Sequence, residues 1–134
     1  MQYNELLFEL FYNLKALYQK NLKFPNISFQ QILAISLIEN SGVEMSHFSK
    51  KLGIDNSTLT RLIDGLEKKK LVTRKRDASD NRVFKVFLTI RGEKVNNSIE
   101  FQLKKIGYAI EGQLNDDLKG EIIESGVALN WAII

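Results

Sequence analysis

No cysteine occurs among the 134 residues. That removes disulfides, thiolate metal sites and thiol-based redox sensing from the chemistry of this chain. Histidine is nearly absent too. His47 stands alone, with no neighbouring ligand to complete a pair, so no metal site and no metal cofactor is expected. The single proline, Pro25, falls in a loop between two helical patterns. No apolar run approaches the roughly 18 residues that a membrane-spanning helix needs, so no membrane partner is expected. The start, "MQYNELLFELF", lacks the basic beginning and unbroken apolar core of a signal peptide, and a cytoplasmic location is the expectation. Also missing are a glycine-rich phosphate loop, a histidine beside a nucleophile and a carboxylate cluster with a site pattern. Neither catalysis nor an organic cofactor is therefore expected.

What is present fits one domain over residues 1–134. Apolar residues make up 44% of the chain, enough for a packed core. The net charge is only +3, but it is unevenly spread. Residues 55–85 hold nine Lys/Arg against five Asp/Glu, while the rest of the chain holds ten against eleven. All of the positive excess therefore sits in one short region. A local basic patch fits a polyanionic partner, and the plainer alternative is a solvated charged face.

Hydrophobic spacing gives the order of elements. Leu6, Leu7, Leu10, Phe11, Leu14, Leu17 and Tyr18 repeat at three and four, predicting an amphipathic helix over 3–20. A second helix begins at "ISFQQILAISLIE", with Ser28 as its cap and Gln31 completing a capping box, and "NSG" at 40–42 ends it. A short helix from Ser46 to Leu52 turns at Gly53. The next helix, capped by Asp55, Asn56 or Ser57, runs to about Lys69 with Leu59, Leu62, Ile63 and Leu66 inward. These two form a helix-turn-helix. "LVTRK" and "RVFKVFLT" read as strands of a hairpin whose tip is "RKRDASDNR". Thr89 caps a long helix to about Gln113, and a break near 112–116 precedes a last helix with Leu118, Ile122 and Val127 inward.

A hairpin directly after a helix-turn-helix is a wing, and the whole suits duplex DNA. With the apolar stripe inward, Ser57, Arg61, Asp64 and Lys68 point outward, while Asn56, Thr58 and Thr60 lie at the helix start or its flanks. These short polar groups reach base edges or phosphates, and Arg61 suits guanine or phosphate. The helix N-terminus itself suits a phosphate. In the wing, Arg74, Lys75, Arg76 and Arg82 supply positive charge, with Arg82 the candidate for minor-groove insertion. Asp80 shapes the loop by pairing with arginine. The alternative for Asp80 and Arg82 is an ordinary surface ion pair worth under about 1 kcal/mol.

The segment "HFSKKLGIDNSTLTRLIDGLEKKKLVTRKRDASDNRVFKVFLTIRGEKV", residues 47–95, resembles the MarR family of regulators. The matching features are Leu52-Gly53, Ser57-Thr58, Thr60-Arg61, Leu66-Glu67, Leu71-Val72, Arg74, Asp80 with Arg82, and Leu88-Thr89 with Gly92. Lys70 stands where the family usually has glycine, and Ser49 where it usually has alanine. The resemblance implies a mainly α (α+β) fold, a winged helix-turn-helix over 27–90. Dimerisation helices occupy 1–24 and 114–134, and a long helix over 89–113 connects them. It implies a homodimeric, sequence-specific transcriptional regulator, in the manner of a repressor, on a pseudo-palindromic operator. The apolar faces of the terminal helices and the tail "ALNWAII" support a dimer independently. The resemblance also implies a small aromatic or anionic effector, for which Phe8, Phe11, Tyr12, Phe24 and Tyr108 are candidates; core or dimer packing is the alternative for these five. The competing reading of the whole chain is a winged-helix module that binds protein and not DNA.

Overall fold

Side chains that alternate or repeat at helical spacing settle into nine elements in a computed structural model, which describes residues 1–134. In chain order they are α1 (Tyr3–Asn21), α2 (Phe29–Ser36), β1 (Val43–Glu44), α3 (Met45–Leu52), α4 (Asn56–Lys68), β2 (Val72–Arg76), β3 (Phe84–Leu88), α5 (Ile90–Glu111) and α6 (Asp116–Ile133). The chain divides into two compact units, Met1–Phe101 and Gln102–Ile134, with the boundary inside α5. No helix is long and apolar enough to cross a membrane.

The core of the first unit is built on the faces that the spacing predicts. Leu59, Ile63 and Leu66 of α4 are fully buried with Phe48 of α3, Ile32 and Ile35 of α2, Val86 of β3 and Ile99 of α5. Leu62 and Leu52 are only half-buried at the margin. Helix α2 starts as expected, with Ser28 Oγ accepting from the Gln31 amide at 3.1 Å and Gln31 Oε1 accepting from the Ser28 amide at 3.1 Å. It ends earlier than "NSG". The amides of Leu37 and Ile38 bond back to the carbonyls of Ala34 and Ile35, three residues earlier, which tightens and closes the last turn. Ser49, in place of alanine, is buried but satisfied, its hydroxyl donating to the Ser46 carbonyl at 3.0 Å.

The hairpin gains a third strand that spacing does not reveal. β1 pairs antiparallel with β3, Val43 opposite Val86, giving the order β1-β3-β2. Two residues carry no readable alternation, so only the pairing defines this strand. β2 and β3 pair in register from Val72 opposite Leu88 to Arg76 opposite Phe84.

The junction from α4 into the wing is set by its backbone. Lys70 has φ 60, the left-handed conformation that glycine adopts without strain. Its amide bonds the Glu67 carbonyl at 2.9 Å, and the Leu71 amide bonds the Leu66 carbonyl at 3.0 Å. Those two bonds form a Schellman closure, so the lysine takes the turn that glycine usually makes. The far side is locked by Thr89, whose amide donates to the Leu71 carbonyl at 3.0 Å and whose hydroxyl donates to the Lys70 carbonyl at 2.7 Å. Thr89 also caps α5, its Oγ1 accepting from the Gly92 amide at 3.0 Å. A Cβ on Gly92 would fall 2.0 Å from the Leu71 carbonyl oxygen, so this position admits only glycine.

The terminal helices differ from expectation in one respect. The interruption near 112–116 is present, with Asn115 capping α6 by accepting from the Asp117 amide at 3.1 Å. Yet no residue of α1 or α6 is buried. Leu118, Ile122 and Val127, expected inward, are exposed, as is Ile110. The apolar stripes are real, but this chain alone provides no surface that covers them.

Candidate nucleic-acid interface

The outer face of α4 begins at Asp55, the cap among the three candidates. Its Oδ1 accepts from the Thr58 amide at 2.7 Å and from the Ser57 hydroxyl at 2.9 Å. The Thr58 amide, the Thr58 and Ser57 hydroxyls and the nearby Arg61 charge hold this carboxyl at about 2, below its ordinary 3.8. A fixed negative charge therefore already occupies part of the helix start. The N-terminus is thus less open to phosphate than helix geometry alone suggests. The side chains around it are placed as expected. Asn56, Ser57, Thr60 and Arg61 are exposed, and Thr58 is half-buried. The Thr60 hydroxyl donates to the Asn56 carbonyl at 2.9 Å, leaving its oxygen lone pairs outward. Arg61 takes part in no ion pair.

The wing tip is a small self-bonded loop. Asp80 Oδ1 accepts from the Arg82 amide at 3.0 Å and from Arg82 Nε at 3.2 Å. The Arg82 contacts, side chain first, draw the Asp80 carboxyl below its ordinary range. The Asp77 amide donates to the Val83 carbonyl at 2.8 Å, and the Val83 amide to the Asp80 carbonyl at 3.0 Å. Arg82 nonetheless projects: its side chain is 91% exposed against 40% for Asp80. One carboxylate thus shapes the loop while the guanidinium stays open to solvent on its other edge. Arg76 donates to the Asn81 carbonyl at 2.6 Å and lies over the Phe84 ring at 4.8 Å, so its charge is held at the wing's flank. Lys75 lies over the Phe87 ring at 5.7 Å.

Arg74 is placed differently from the other wing cations. Its Nη2 donates to Asp64 Oδ1 at 2.6 Å, and its Nε lies 2.5 Å from Glu67 Oε1, a close ion pair without hydrogen-bond alignment. Both carboxylates belong to α4, so Arg74 ties the recognition helix to the base of the wing. Asp64, expected to face outward, is half-buried beneath it. The reason is the tight turn at Lys70, which folds β2 back against α4 and sets Arg74, the middle residue of the strand, beside the last turns of the helix.

Other candidates are not gathered into one place. Phe8, Phe11 and Tyr12 form a ring cluster on α1, with centroids 5.5–6.4 Å apart. Phe24 borders a separate cleft beside the end of α4. Tyr108 belongs to the second unit and lines a cleft there with Leu114 and Ile122. Three residues outside the expected set also converge. His47 and Lys51 of α3 and Lys85 of β3 line a cleft of about 340 Å³ next to β1. His47 and Lys51 lie one turn apart on α3, while Lys85 reaches them only through the packing of β3 beside β1 and α3, which no local pattern shows. No three His, Asp or Glu side chains lie close enough to hold a metal ion.

The likeness to known proteins matches this geometry. The MarR family model matches residues 27–84, the winged helix-turn-helix itself. The chain is 29% identical over 101 residues to the HTH-type transcriptional regulator SarZ of Staphylococcus haemolyticus, covering 72% of this chain and 69% of that protein. It is 31% identical over 93 residues to the organic hydroperoxide resistance transcriptional regulator of Bacillus subtilis, covering 66% of this chain and 63% of that one. Among solved structures, Streptococcus pneumoniae FabT in complex with DNA superposes with a TM-score of 0.79 at 25% identity, over 97% of this chain and 93% of FabT. A capped recognition helix, a buttressed wing and a threonine-glycine lock all lie within or beside the matched segment, and the winged helix-turn-helix of residues 27–84 is of the MarR family.

Proposed function

We propose that this chain is a sequence-specific DNA-binding transcriptional regulator, acting as a homodimeric repressor on an operator with dyad symmetry. The observation that carries the reading is the start of α4. Leu59, Ile63 and Leu66 of its inner face are fully buried, while Asn56, Ser57, Thr60 and Arg61 are exposed beside a wing bearing Lys75, Arg76 and Arg82. Ser57, Thr58, Asn56, Thr60 and Arg61 are the base-edge and near-phosphate contacts, and the wing cations meet phosphate and groove potential. Arg74 serves the same surface by bracing α4 against β2. Asp80 holds Arg82 in its projecting pose. The FabT structure with DNA supports the same partner here. A winged helix that binds only protein has no specific observation in its favour, because a basic wing suits a polyanion.

Homodimerisation draws support from α1 and α6. Phe8, Phe11 and Tyr12 are about 60% exposed and Trp131 is 72% exposed. Large apolar surfaces of this kind mark an interaction face. The ring cluster of α1 is also a candidate surface for the small aromatic or anionic effector that the resemblance implies. The setting is the cytoplasm, where the operator is accessible.

Selection of bound fragments from random duplex DNA by the purified chain tests the reading. The expected result is a consensus with two related half-sites about one helical turn apart. Ser57→Ala and Arg61→Ala then shift the preferred bases. No enrichment, or a lone asymmetric half-site bound by one chain, would refute it.

A further inference from the structure

Apolar packing is non-directional, so the buried stripe of Leu59, Ile63 and Leu66 seats α4 without fixing how the helix rolls. Directional bonds must do that, and α4 has them on two flanks. At about 100° per residue, Asp64 and Glu67 fall on one side of the stripe, and Gly65 and Lys69 fall on the other. Arg74 holds the first flank to β2. The second flank is held by a residue outside the interface described above.

Lys69 is half-buried at the end of α4. Its ammonium donates to the Asn26 carbonyl and, at 2.7 Å, to Gln31 Oε1. Gln31 Oε1 also accepts from the Ser28 amide at 3.1 Å, so the bond that caps α2 and the bond from α4 end on one atom. Asn26 lies in the loop that leads from α1 into α2. It follows Pro25 in a turn closed by the Ile27 amide on the Phe24 carbonyl at 3.4 Å, and its φ is 63. Proline followed by a left-handed asparagine is the pattern of a type II turn, so the acceptor sits on a defined turn. A second observation is independent of these bonds. A Cβ at Gly65 would stand 3.1 Å from Gln31 Nε2, so the glycine lets the Gln31 side chain lie directly on α4.

We propose that Lys69 is a positioning residue for DNA recognition. It ties the end of α4 to the start of α2 and to the loop after α1, and so fixes the roll at which α4 presents Ser57 and Arg61. With Arg74 on the other flank, it leaves the helix one orientation. Base-edge contacts depend on that orientation, whereas contacts to phosphates tolerate more movement. Lys69 itself touches no DNA. The inference rests on the regulator reading.

The test uses the full-length chain, the operator selected by the parent, and scrambled DNA over a salt series. Affinities are referred to the active fraction, measured by stoichiometric titration, so a loss of folded protein is not counted as weaker binding. Lys69→Met keeps the apolar stem and removes the ammonium. It should bind the operator about tenfold more weakly and scrambled DNA like the parent. Its log–log salt slope should stay unchanged, because no phosphate contact is lost. Gln31→Met should weaken operator binding in the same selective way, and the double variant should lose little beyond Lys69→Met alone, because both changes break one connection. Parent-like operator affinity in Lys69→Met overturns the inference, as does full additivity of the two changes. Equal weakening on both DNAs with a slope lower by about one overturns it too, because Lys69 would then be a phosphate contact. A parent that selects no operator overturns the regulator reading and this inference together; a parent that selects one, with variants that behave like it, overturns this inference alone.

Discussion

Replacing Lys70 with glycine should make the protein more stable, although lysine is the better residue almost anywhere else near a helix end. The left-handed conformation at φ 60 costs an L-residue about 1–2 kcal/mol that glycine does not bear. Glycine loses about 0.5–1 kcal/mol through the greater freedom of its unfolded chain. Nothing else changes much. The side chain is exposed, and the bonds at this position are made by its backbone, to Glu67 and Thr89. The net expectation is a gain of about 0.5–1 kcal/mol. With a urea slope of about 1.5 kcal/mol/M, the midpoint rises by roughly 0.3–0.7 M at unchanged slope. Lys70→Ala is the control, since it removes the amine but keeps the strain, and its midpoint should stay at or below the parent's. Protein concentration is held constant, because dimerisation contributes to stability. Equal midpoints for the glycine and alanine variants would refute the strain argument.

Gly92→Ala should cost about 2–3 kcal/mol in a thermal or urea melt, because its Cβ meets the Leu71 carbonyl at 2.0 Å and that carbonyl is itself held by Thr89. Asp55 titrates at about 2 in the fold against an ordinary 3.8, so its capping contribution is fully present above pH 5 or so and fades as pH falls through 2. Asp55→Asn should therefore flatten the acid limb of midpoint against pH, and an unchanged limb would show the cap does not titrate. Arg82→Ala should weaken binding to operator and scrambled DNA alike and lower the log–log salt slope by about one. Parent-like binding at every salt concentration would reduce Asp80–Arg82 to a surface ion pair. Glutamate at Leu10 should lower the sedimentation weight toward the 15.4 kDa protomer and weaken DNA binding together.

Local chemistry alone determined most of the element order. The capping box at Ser28, the stripe of Leu59, Ile63 and Leu66, the turn at Gly53 and the break before Asn115 are all short-range effects. Each depends on residues within one or two helical turns, so each is legible in the chain. The polar start of α4 was legible for the same reason, since a buried stripe fixes which residues remain outside. Long-range pairing decided the rest. β1 exists only because Val43 meets Val86, and the packing of β3 beside β1 and α3 carries Lys85 to His47 and Lys51. Arg74 looked like another wing cation until the tight turn at Lys70 folded β2 back and set it against Asp64 and Glu67. The run Lys68–Lys70 looked like part of one basic patch until the length of α4 carried it to the far end, where Arg91 joins it. Sequence states which side chains carry charge and which face of a helix is apolar. Only tertiary structure decides which charges meet, because that depends on residues far apart in the chain and close in space.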